Sequence, residues 1–277
     1  MSRIETVLAQ LKEKKEKGLI LYLTANYPNE RLFTETILRV AEWGCDGLEI
    51  GVPFSDPIAD GPVIQEAMDC SLQQGTTVRK VLHAIASVRE KVPVPIIVMT
   101  YLNPILRFGL EQFAKEAFSC GVDGVLITDL PADEADGWIA TARAYRLDTI
   151  FLLSPTSTDE RIKMVAKRST GFIYCVSVRG VTGVRETLPE DLPDLIRRIH
   201  NQTSQSIFVG FGISRPDQVR SVVALSGTDG VVVGSAFIRL LKELRGGPTH
   251  LVWDKLEKFV RGLKEAARGS GGAHEKG

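Results

Sequence analysis

The 277 residues of the chain exceed the size of most single-core domains, but they suit an α/β barrel, which uses roughly 250 residues as one domain. Hydrophobic residues make up 44% and charged residues 25%, a composition that excludes a disordered chain. With 34 basic and 34 acidic residues, the formal net charge is +0, so no broad field favours nucleic acid or an anionic membrane. An anionic ligand would need a local site.

The first segment of the chain, residues 1–18, predicts an amphipathic helix. Ile4, Val7, Leu8 and Leu11 recur at helical spacing among charged residues. The segment lacks the apolar run of a signal peptide, and no part of the chain approaches the roughly 20 apolar residues of a membrane span. We therefore expect a helix that packs on the domain, and a cytoplasmic protein.

Short apolar runs, bounded by Gly, Pro or Asp, recur along the rest of the chain. They are mostly continuous rather than alternating, which is typical of parallel strands buried on both faces. The runs are Leu19–Leu23, Gly47–Ile50, Pro95–Thr100, Gly124–Thr128, Thr149–Leu153, Phe172–Val176, Ile207–Gly210 and Gly230–Val233. The amphipathic segments between them predict helices at Glu30–Trp43, Val78–Val92, Leu110–Cys120, Ala135–Tyr145, Asp159–Lys167, Leu192–His200 and Pro216–Leu225.

Eight alternating units in a chain of this length favour a closed barrel over an open doubly wound sheet, and no GxGxxG motif follows the first strand. The predicted fold is a single (β/α)8 TIM barrel with an extra N-terminal helix. We expect this domain to span residues 1–262. The Gly-rich residues 263–277 are expected to form a disordered tail. In such a barrel the active site lies in the loops at the C-terminal ends of the strands.

Cysteine and histidine give no sign of a metal site. The four cysteines form no CxxC pair, so reduced thiols are expected rather than zinc ligands or a disulfide framework. The histidines lie in helical or polar stretches or in the Gly-rich tail, where they would not converge in a pocket. We expect neither a metal ion nor a cofactor bound to this chain.

Glu49 is a candidate acid–base residue because of its place in the second strand. Side chains alternate along a strand, so Glu49 points away from Leu48 and Ile50, which should face the helices. Desolvation inside the barrel would raise its pKa toward the range of general acid–base work, and the flanking Gly47 and Gly51 would leave space beside it. The alternative is a glutamate paired with Lys or Arg, or one at a solvated strand end.

Asp60 follows in the same loop, 60 − 49 = 11 residues after Glu49, near enough to face a common ligand. Aspartate before Pro or Gly commonly shapes turns, and this interpretation is favoured for Asp56 and remains open for Asp60. Three prolines in residues 52–62 should stiffen the loop, which would then present a surface as well as a side chain. Pro53, Asp56 and Pro57 are expected to be exposed.

Glycine-rich loops follow the last strands. GFGIS at 210–214 follows strand seven and GSA at 234–236 follows strand eight, where barrels commonly bind phosphate. Glycines admit backbone N–H groups close to a ligand, and a helix starting near Ser235 would add partial positive charge. Tight turns also use glycine, so one Gly-rich loop alone would be weak evidence. The prediction of a phosphate site rests on the occurrence of two such loops, after strands seven and eight.

After strand six, Gly180 and Gly183 bracket Thr182 in a segment that is either a lid or an ordinary exposed loop.

Several of these motifs resemble the tryptophan synthase alpha chain family. The run LEIGVPFSDPIADGP at 48–62 matches that family's signature almost letter for letter, and such a match is highly specific. Supporting motifs are YLNP at 101–104, TDLP at 128–131, GVTG at 180–183, GFGIS at 210–214 and GS at 234–235. The resemblance runs from the first helix to about residue 262. One departure is TANYP at 24–28, where many relatives have Gly-Asp-Pro; it alters the first loop and leaves the catalytic positions untouched.

The resemblance implies roles for individual residues. Glu49 and Asp60 would be the catalytic pair, and Thr182 would close over the substrate and meet Asp60. The residues implied to hold the phosphate are Gly183, Gly212, Gly234 and Ser235. Phe211 and Tyr174 would line the substrate pocket. The residues implied near the indole, or supporting its site, are Tyr22, Ile64, Met99, Tyr101 and Asp129.

The family's reaction is the retro-aldol cleavage of indole-3-glycerol phosphate to indole and D-glyceraldehyde 3-phosphate, a carbon–carbon lyase step of tryptophan biosynthesis. A protonated Glu49 would deliver a proton to indole C3 and take the hydroxyl proton, while an ionised Asp60 would bind the indole N–H. The partner implied is the tryptophan synthase beta chain in an alpha2beta2 complex, with pyridoxal phosphate on the beta chain alone. The alternatives are a stand-alone indole-releasing lyase, a phosphate-binding barrel isomerase and a non-catalytic scaffold subunit.

Overall fold

The barrel is closed by eight parallel strands that pair in chain order, with β8 returning to β1. The computed structural model describes residues 1–176, 190–210 and 212–268. Its strands are β1 Gly18–Thr24, β2 Gly47–Gly51, β3 Ile96–Thr100, β4 Gly124–Ile127, β5 Asp148–Leu153, β6 Ile173–Val176, β7 Ile207–Gly210 and β8 Gly230–Val233. The predicted TIM barrel is confirmed, and every strand end lies within one residue of its predicted position.

Helices cover the outer face of the barrel and its N-terminal end. They are α1 Arg3–Glu13, α2 Glu30–Glu42, α3 Pro62–Gln73, α4 Val78–Val88, α5 Leu102–Phe108, α6 Leu110–Ser119, α7 Asp136–Ala144, α8 Asp159–Arg168, α9 Leu192–His200, α10 Pro216–Val223, α11 Ser235–Leu241 and α12 Thr249–Arg268. The seven predicted helices between strands are present with small changes at their ends, and α3, α5 and α12 were not predicted. None of the described helices is long and apolar enough to cross a membrane.

The packed domain extends beyond residue 262, where the sequence placed its end. Helix α12 continues without a break to Arg268, and Leu263, Ala266 and Ala267 are buried against the barrel. The predicted start of the tail, at residue 263, was therefore too early. Residues 263–268 belong to the end of the amphipathic helix α12, directly before the Gly-rich segment. Residues 269–277 lie outside the described residues.

The predicted N-terminal helix is present and closes the bottom of the barrel. Ser2 caps α1 in a capping box with Glu5, which satisfies backbone N–H groups of the first turn. Ile4 packs with Phe172 and Phe208 in the apolar cluster that fills the barrel interior. The interior of the barrel at this end is therefore filled by apolar side chains.

Aspartates at the N-terminal ends of strands fix the register of the barrel. An aspartate stands directly before each of β2, β4 and β8. Its carboxylate accepts a hydrogen bond of 2.7–2.9 Å from a backbone N–H at the start of the neighbouring strand, β1, β3 or β7. The three residues are Asp46, Asp123 and Asp229. Asp46 is also paired with the buried Lys264 of α12 at 2.8 Å. These contacts anchor β2, the strand that carries Glu49.

Candidate active site

Glu49 lies in the middle of β2 with its side chain inside the barrel. Leu48 and Ile50 pack in the outer layer between strands and helices, as their alternation predicts. Glu49 is only 2% exposed. Among the described residues no lysine or arginine pairs with it, so neither the ion-paired nor the solvated alternative applies. The structure thus holds a carboxyl group, without a counter-ion, in an apolar interior.

The environment of Glu49 favours its protonated form. Burial raises the pKa of Glu49 to about 8, with a further upward contribution from the negative charge of Asp60. The hydroxyl of Tyr174 on β6 hydrogen-bonds the Glu49 carboxyl and opposes the rise. At neutral pH the group therefore carries a proton that it can release, which is the state a general acid needs.

Asp60 is 4% exposed and is held at the end of the β2–α3 loop by a tyrosine. The Tyr101 hydroxyl donates to Asp60 Oδ2 at 2.7 Å, and the same hydroxyl accepts from the Ala59 backbone N–H at 3.0 Å. Burial raises the pKa of Asp60, and the Tyr101 hydrogen bond lowers it. The Asp60 backbone N–H donates to the Pro57 carbonyl at 3.0 Å, so the residue also shapes a turn. Both roles considered for Asp60 are therefore compatible with its position.

Two of the three tyrosines around the two carboxylates, Tyr22 and Tyr174, occupy space that glycines provide. A Cβ on Gly51 would overlap the Tyr22 hydroxyl and lie 2.6 Å from Tyr22 Cζ. A Cβ on Gly210 would lie 2.5 Å from Tyr174 Cε1 and 2.6 Å from its hydroxyl oxygen. The space expected beside Glu49 is therefore filled by an aromatic side chain rather than left open. Sequence reasoning missed this function of Gly51 and Gly210, although a glycine ending a strand next to a tyrosine-bearing strand was the available signal.

Replacing Gly51 by Ala should displace Tyr22 and disturb the pair of carboxylates. We expect at least about a tenfold loss of turnover and a loss of roughly 1–3 kcal/mol in the free energy of unfolding, the range for overpacking. Gly137 on α7 is the matched control, since a Cβ there meets nothing within 4 Å. Gly137→Ala should keep full turnover and gain about 0.5–1 kcal/mol. Kinetics and urea unfolding of both variants check this, and unchanged turnover in Gly51→Ala would contradict it.

The divergent first loop, residues 24–28, is completely buried. Ser71 Oγ donates to the Ala25 carbonyl at 2.6 Å, and Gln74 Nε2 donates to the Pro28 carbonyl at 3.0 Å, so α3 holds the loop. The Ala25 backbone N–H donates to the Gly51 carbonyl at 2.9 Å. The loop that differs from many relatives therefore hydrogen-bonds to the end of β2, and Glu49 and Asp60 keep their buried positions.

The remaining residues implied near the indole occupy different layers. Met99 on β3 is half-buried and packs against the interior cluster, whereas Ile64 on α3 packs against the outer core. Asp129 is exposed, and its Oδ1 accepts from the Leu102 N–H at 2.7 Å, which caps α5 directly after Tyr101. Asp129 also lines a cavity of about 250 Å³ at the C-terminal ends of β4 and β5. Asp129 thus supports the position of Tyr101 through the backbone.

The residues implied for phosphate binding are only partly described. Gly234 precedes α11, Ser235 is its first residue, and both are half-buried. Gly212 has φ +40°, in the left-handed region that favours glycine, and it is exposed after β7. Strands β7 and β8 are hydrogen-bonded neighbours, so the two loops leave the barrel side by side. Gly183, Thr182 and Phe211 lie outside the described residues.

The outer surface of the β2–α3 loop differs from the expected one. Asp56 is exposed, but Pro53 and Pro57 are buried, so the expectation for the two prolines was wrong. The Pro57 carbonyl accepts from the Asp60 N–H, and this turn draws the proline inward. The most exposed large side chain of the loop is Ile58, at 80%.

Metal-binding groups are sparse in the part of the chain that the structure describes. No cluster of three or more His, Cys, Asp or Glu side chains is arranged there to hold a metal ion. The four cysteines are free, with Cys45 and Cys175 buried and Cys70 and Cys120 half-buried. The polar groups that do converge are two carboxyls and three phenols, an arrangement suited to proton transfer.

Known proteins share both the sequence and the fold of this chain. The family model described as tryptophan synthase alpha chain matches residues 8–268. The tryptophan synthase alpha chain of Geotalea uraniireducens is 44% identical over 272 residues, which cover 98% of this chain and 100% of that protein. The alpha chain of Geobacter sulfurreducens is 44% identical over 266 residues, covering 96% and 99%.

Solved structures agree with these matches. A structure of Mycobacterium tuberculosis tryptophan synthase superposes with a TM-score of 0.88 at 34% identity, covering 96% of this chain and 98% of that one. Tryptophan synthase subunit alpha from Legionella pneumophila gives a TM-score of 0.87 at 32% identity, with coverage of 96% and 98%. A match over nearly the whole chain, in sequence and in fold, establishes that this chain belongs to the tryptophan synthase alpha chain family.

Proposed function

We propose that Glu49 and Asp60 are the acid–base pair with which this chain carries out the lyase reaction of its family, the cleavage of indole-3-glycerol phosphate to indole and D-glyceraldehyde 3-phosphate. One observation carries the assignment of roles. Two buried carboxyl groups, Glu49 in β2 and Asp60 in the loop that follows it, are each hydrogen-bonded by a tyrosine, and burial raises the pKa of Glu49 to about 8. A protonated and an ionised carboxyl group can then act together at neutral pH.

The proton balance of the reaction fits this pair. Glu49 donates its proton to indole C3, and the positive charge that develops at the ring N–H is stabilised by the Asp60 carboxylate. The ionised Glu49 then takes the proton of the glycerol hydroxyl. The bond between C3 and the glycerol carbon breaks, its electron pair restores the aromatic ring, and an aldehyde forms. Glu49 ends protonated, so the cycle needs no external acid, base or cofactor.

The substrate's phosphate would bind at the end of the barrel opposite α1. Support comes from the adjacent β7 and β8 loops, where Gly212 adopts a left-handed conformation and Gly234 and Ser235 start α11. The backbone N–H groups there are the donors we assign to the phosphate, together with Gly183. Tyr174, Phe211, Met99, Tyr101 and Tyr22 would surround the indole and its two carboxyl partners, and Thr182 would close over the substrate.

The partner we propose is a tryptophan synthase beta chain, docked on the β2–α3 loop and α5. Ile58 is 80% exposed and Leu106 of α5 is 58% exposed. The loop and the start of α5 are connected through the Ala59 N–H bond to Tyr101. Asp60 would therefore respond to whatever binds this surface. Pyridoxal phosphate would belong to the beta chain, and the complex would be an alpha2beta2 heterotetramer in the cytoplasm, where the four free thiols would stay reduced.

The test is an assay of indole release from indole-3-glycerol phosphate by the purified chain, first alone and then with saturating beta chain. We expect a measurable rate alone and a rise of about tenfold or more on mixing, the scale of typical coupling energies. Glycerol 3-phosphate should inhibit competitively, because it would occupy the phosphate site. Full activity alone with no change on mixing would identify a stand-alone lyase, and no indole under either condition would overturn the proposal.

Two surface variants locate the docking site. Ile58→Ser should weaken the activation by the beta chain several-fold, because it removes the most exposed apolar side chain of the loop. Leu251→Ser is the control, since Leu251 is similarly apolar and 56% exposed but lies on α12, outside the β2–α3 loop. Equal activation of both variants would place the partner elsewhere.

A further inference from the structure

Gln65 of α3 hydrogen-bonds the backbone of Asp60 through its side-chain amide. Its Nε2 donates to the Asp60 carbonyl at 2.8 Å and, less closely, to the Pro57 carbonyl at 3.4 Å. The Pro57 carbonyl also accepts from the Asp60 N–H at 3.0 Å. One side-chain amide therefore holds the turn of residues 57–60 at both of its ends.

The place of Gln65 in α3 explains why its side chain reaches back to Asp60. Helix α3 begins at Pro62, and its N-cap residue Gly61 makes no side-chain capping bond. Asp60 stands just before that cap and Gln65 is the fourth residue of the helix, the two positions that a hydrophobic staple usually joins. Here a hydrogen bond takes the place of the apolar contact. Gln65 therefore fixes the angle at which the chain enters α3.

Helix α3 is a firm support for this contact, whereas the turn is not. Ala67 and Met68 of α3 are buried, and Ser71 Oγ donates to a carbonyl of the first loop at 2.6 Å. The turn of residues 57–60 carries Ile58, which is 80% exposed, between its two buried ends. A turn with an exposed middle needs bonds to a packed element if the carboxyl group at its end is to keep one position.

We infer that Gln65 is a positioning residue: by fixing the backbone of Asp60 to α3, its amide aims the Asp60 carboxylate at Tyr101 and at the place where the ring N–H of the substrate arrives. The inference rests on the proposed function, because it assigns a task within that acid–base pair. The Asp60 N–H, carbonyl and carboxyl are each hydrogen-bonded, the last by the Tyr101 hydroxyl at 2.7 Å. Without Gln65 the carbonyl bond is lost, and the turn is free to rotate the carboxylate away from Tyr101.

The test is Gln65→Met, which keeps the length of the side chain and removes its amide. We expect kcat to fall about three- to tenfold, the value of one hydrogen bond, with KM changed less than about twofold. The Tyr101 bond lowers the pKa of Asp60, so a loosened turn should move the acidic limb of kcat/KM to higher pH. Gln73→Met is the matched control, because Gln73 is exposed on the same helix, and its kinetics should equal those of the wild type.

The groups that titrate together with Asp60 are unchanged in this variant. The groups whose pKa responds to the charge of Asp60 are Glu49, Tyr22, Tyr101 and Tyr174. Because Gln65→Met alters none of them and adds no charge, a moved acidic limb would report a change in how Asp60 itself is held.

The outcomes separate this inference from the proposed function. Wild-type protein that releases no indole would overturn the proposed function itself. In an active protein, a Gln65→Met acidic limb that superposes on the wild-type limb would overturn only the positioning role, even if kcat fell, and so would an equal shift in Gln73→Met. If Gln65→Met failed to fold by circular dichroism, Gln65→Leu would supply the readout, because the fourth helical position commonly carries an apolar residue. An unmoved limb in that variant would overturn the inference.

Discussion

Replacing Glu49 by Gln should leave a folded barrel that releases indole at least about 100-fold more slowly than the wild type, within the range of roughly 10²–10⁴ for a positioned acid–base group. The amide has nearly the shape of the carboxyl but can neither give a proton to C3 nor take the hydroxyl proton. It can still accept the Tyr174 hydrogen bond that the carboxyl makes. Steady-state kinetics with indole-3-glycerol phosphate measure the effect, and a folded variant with more than about a tenth of wild-type turnover would contradict the role.

The same variant should be more stable than the wild type at alkaline pH. Burial raises the pKa of Glu49 from an ordinary 4.5 to about 8. Between these values the unfolded chain has lost a proton that the folded chain keeps, so the contribution of Glu49 to the free energy of unfolding falls as pH rises. Glutamine has no such dependence. The stability difference between Glu49→Gln and wild type should grow from about pH 4.5 to about pH 8 and then level off.

Urea unfolding at about pH 5, 7 and 9 checks this linkage, because the first two pH values lie between the two pKa values and the third lies above both. A flat difference across the three would mean that Glu49 is solvated or ion-paired in the folded state, against its burial. The stability and the activity predictions share one cause. The apolar interior that destabilises an ionised Glu49 is also what supplies a protonated acid at neutral pH.

The barrel and its main acid could be predicted from the sequence because both depend on local patterns. Continuous apolar runs and their spacing placed all eight strands within one residue. Alternation along β2 was sufficient to turn Glu49 inward, since Leu48 and Ile50 had to face the helices. The order of strands in a closed barrel follows the chain, so the loops after β7 and β8 were expected to be neighbours.

Features that depend on register and on short elements could not be predicted. Helix α5 has seven residues, too few for a helical period to be recognised in the sequence. Helix α12 ends in small residues, which the sequence analysis assigned to a disordered tail. The burial of Pro57 follows from a turn that closes only in three dimensions. Which phenol meets which carboxyl depends on the stagger between strands, and the pairing of Tyr22 with Glu49 is visible only in the barrel register.

The charge of Asp60 separates the protonation states of the two carboxyl groups in the site. Both carboxyls are buried, and burial is the first cause of a raised pKa for each. Each pKa is also lowered by a tyrosine hydrogen bond, from Tyr174 at Glu49 and from Tyr101 at Asp60. The difference is that the negative charge of Asp60 adds to the rise at Glu49. The proton that the two share therefore resides mainly on Glu49, and titration of either group will report the behaviour of the pair.

Replacing Asp60 by Asn should lower turnover by about tenfold to 100-fold, less than the change at Glu49. The amide oxygen can still accept the indole N–H, but it carries no charge to balance the positive charge that develops on the ring. Removing that charge also takes away the second cause of the high Glu49 pKa, so the basic limb of kcat/KM should move below about pH 8. Burial, the larger cause, remains, so the limb should stay well above the ordinary range of a glutamate.

Asp56→Asn is the matched control for this shift, because Asp56 lies in the same loop and is exposed, and its carboxylate accepts a hydrogen bond from the hydroxyl of the neighbouring Ser55. Its pH profile and basal turnover should match those of the wild type. The acidic limb separates the two roles further: it should disappear in Asp60→Asn, since the group that must be ionised is gone, and persist in Asp56→Asn. If Asp60→Asn lost as much turnover as Glu49→Gln or more, while its basic limb stayed at about pH 8, the proton donor and the charge-stabilising carboxylate would have to be exchanged.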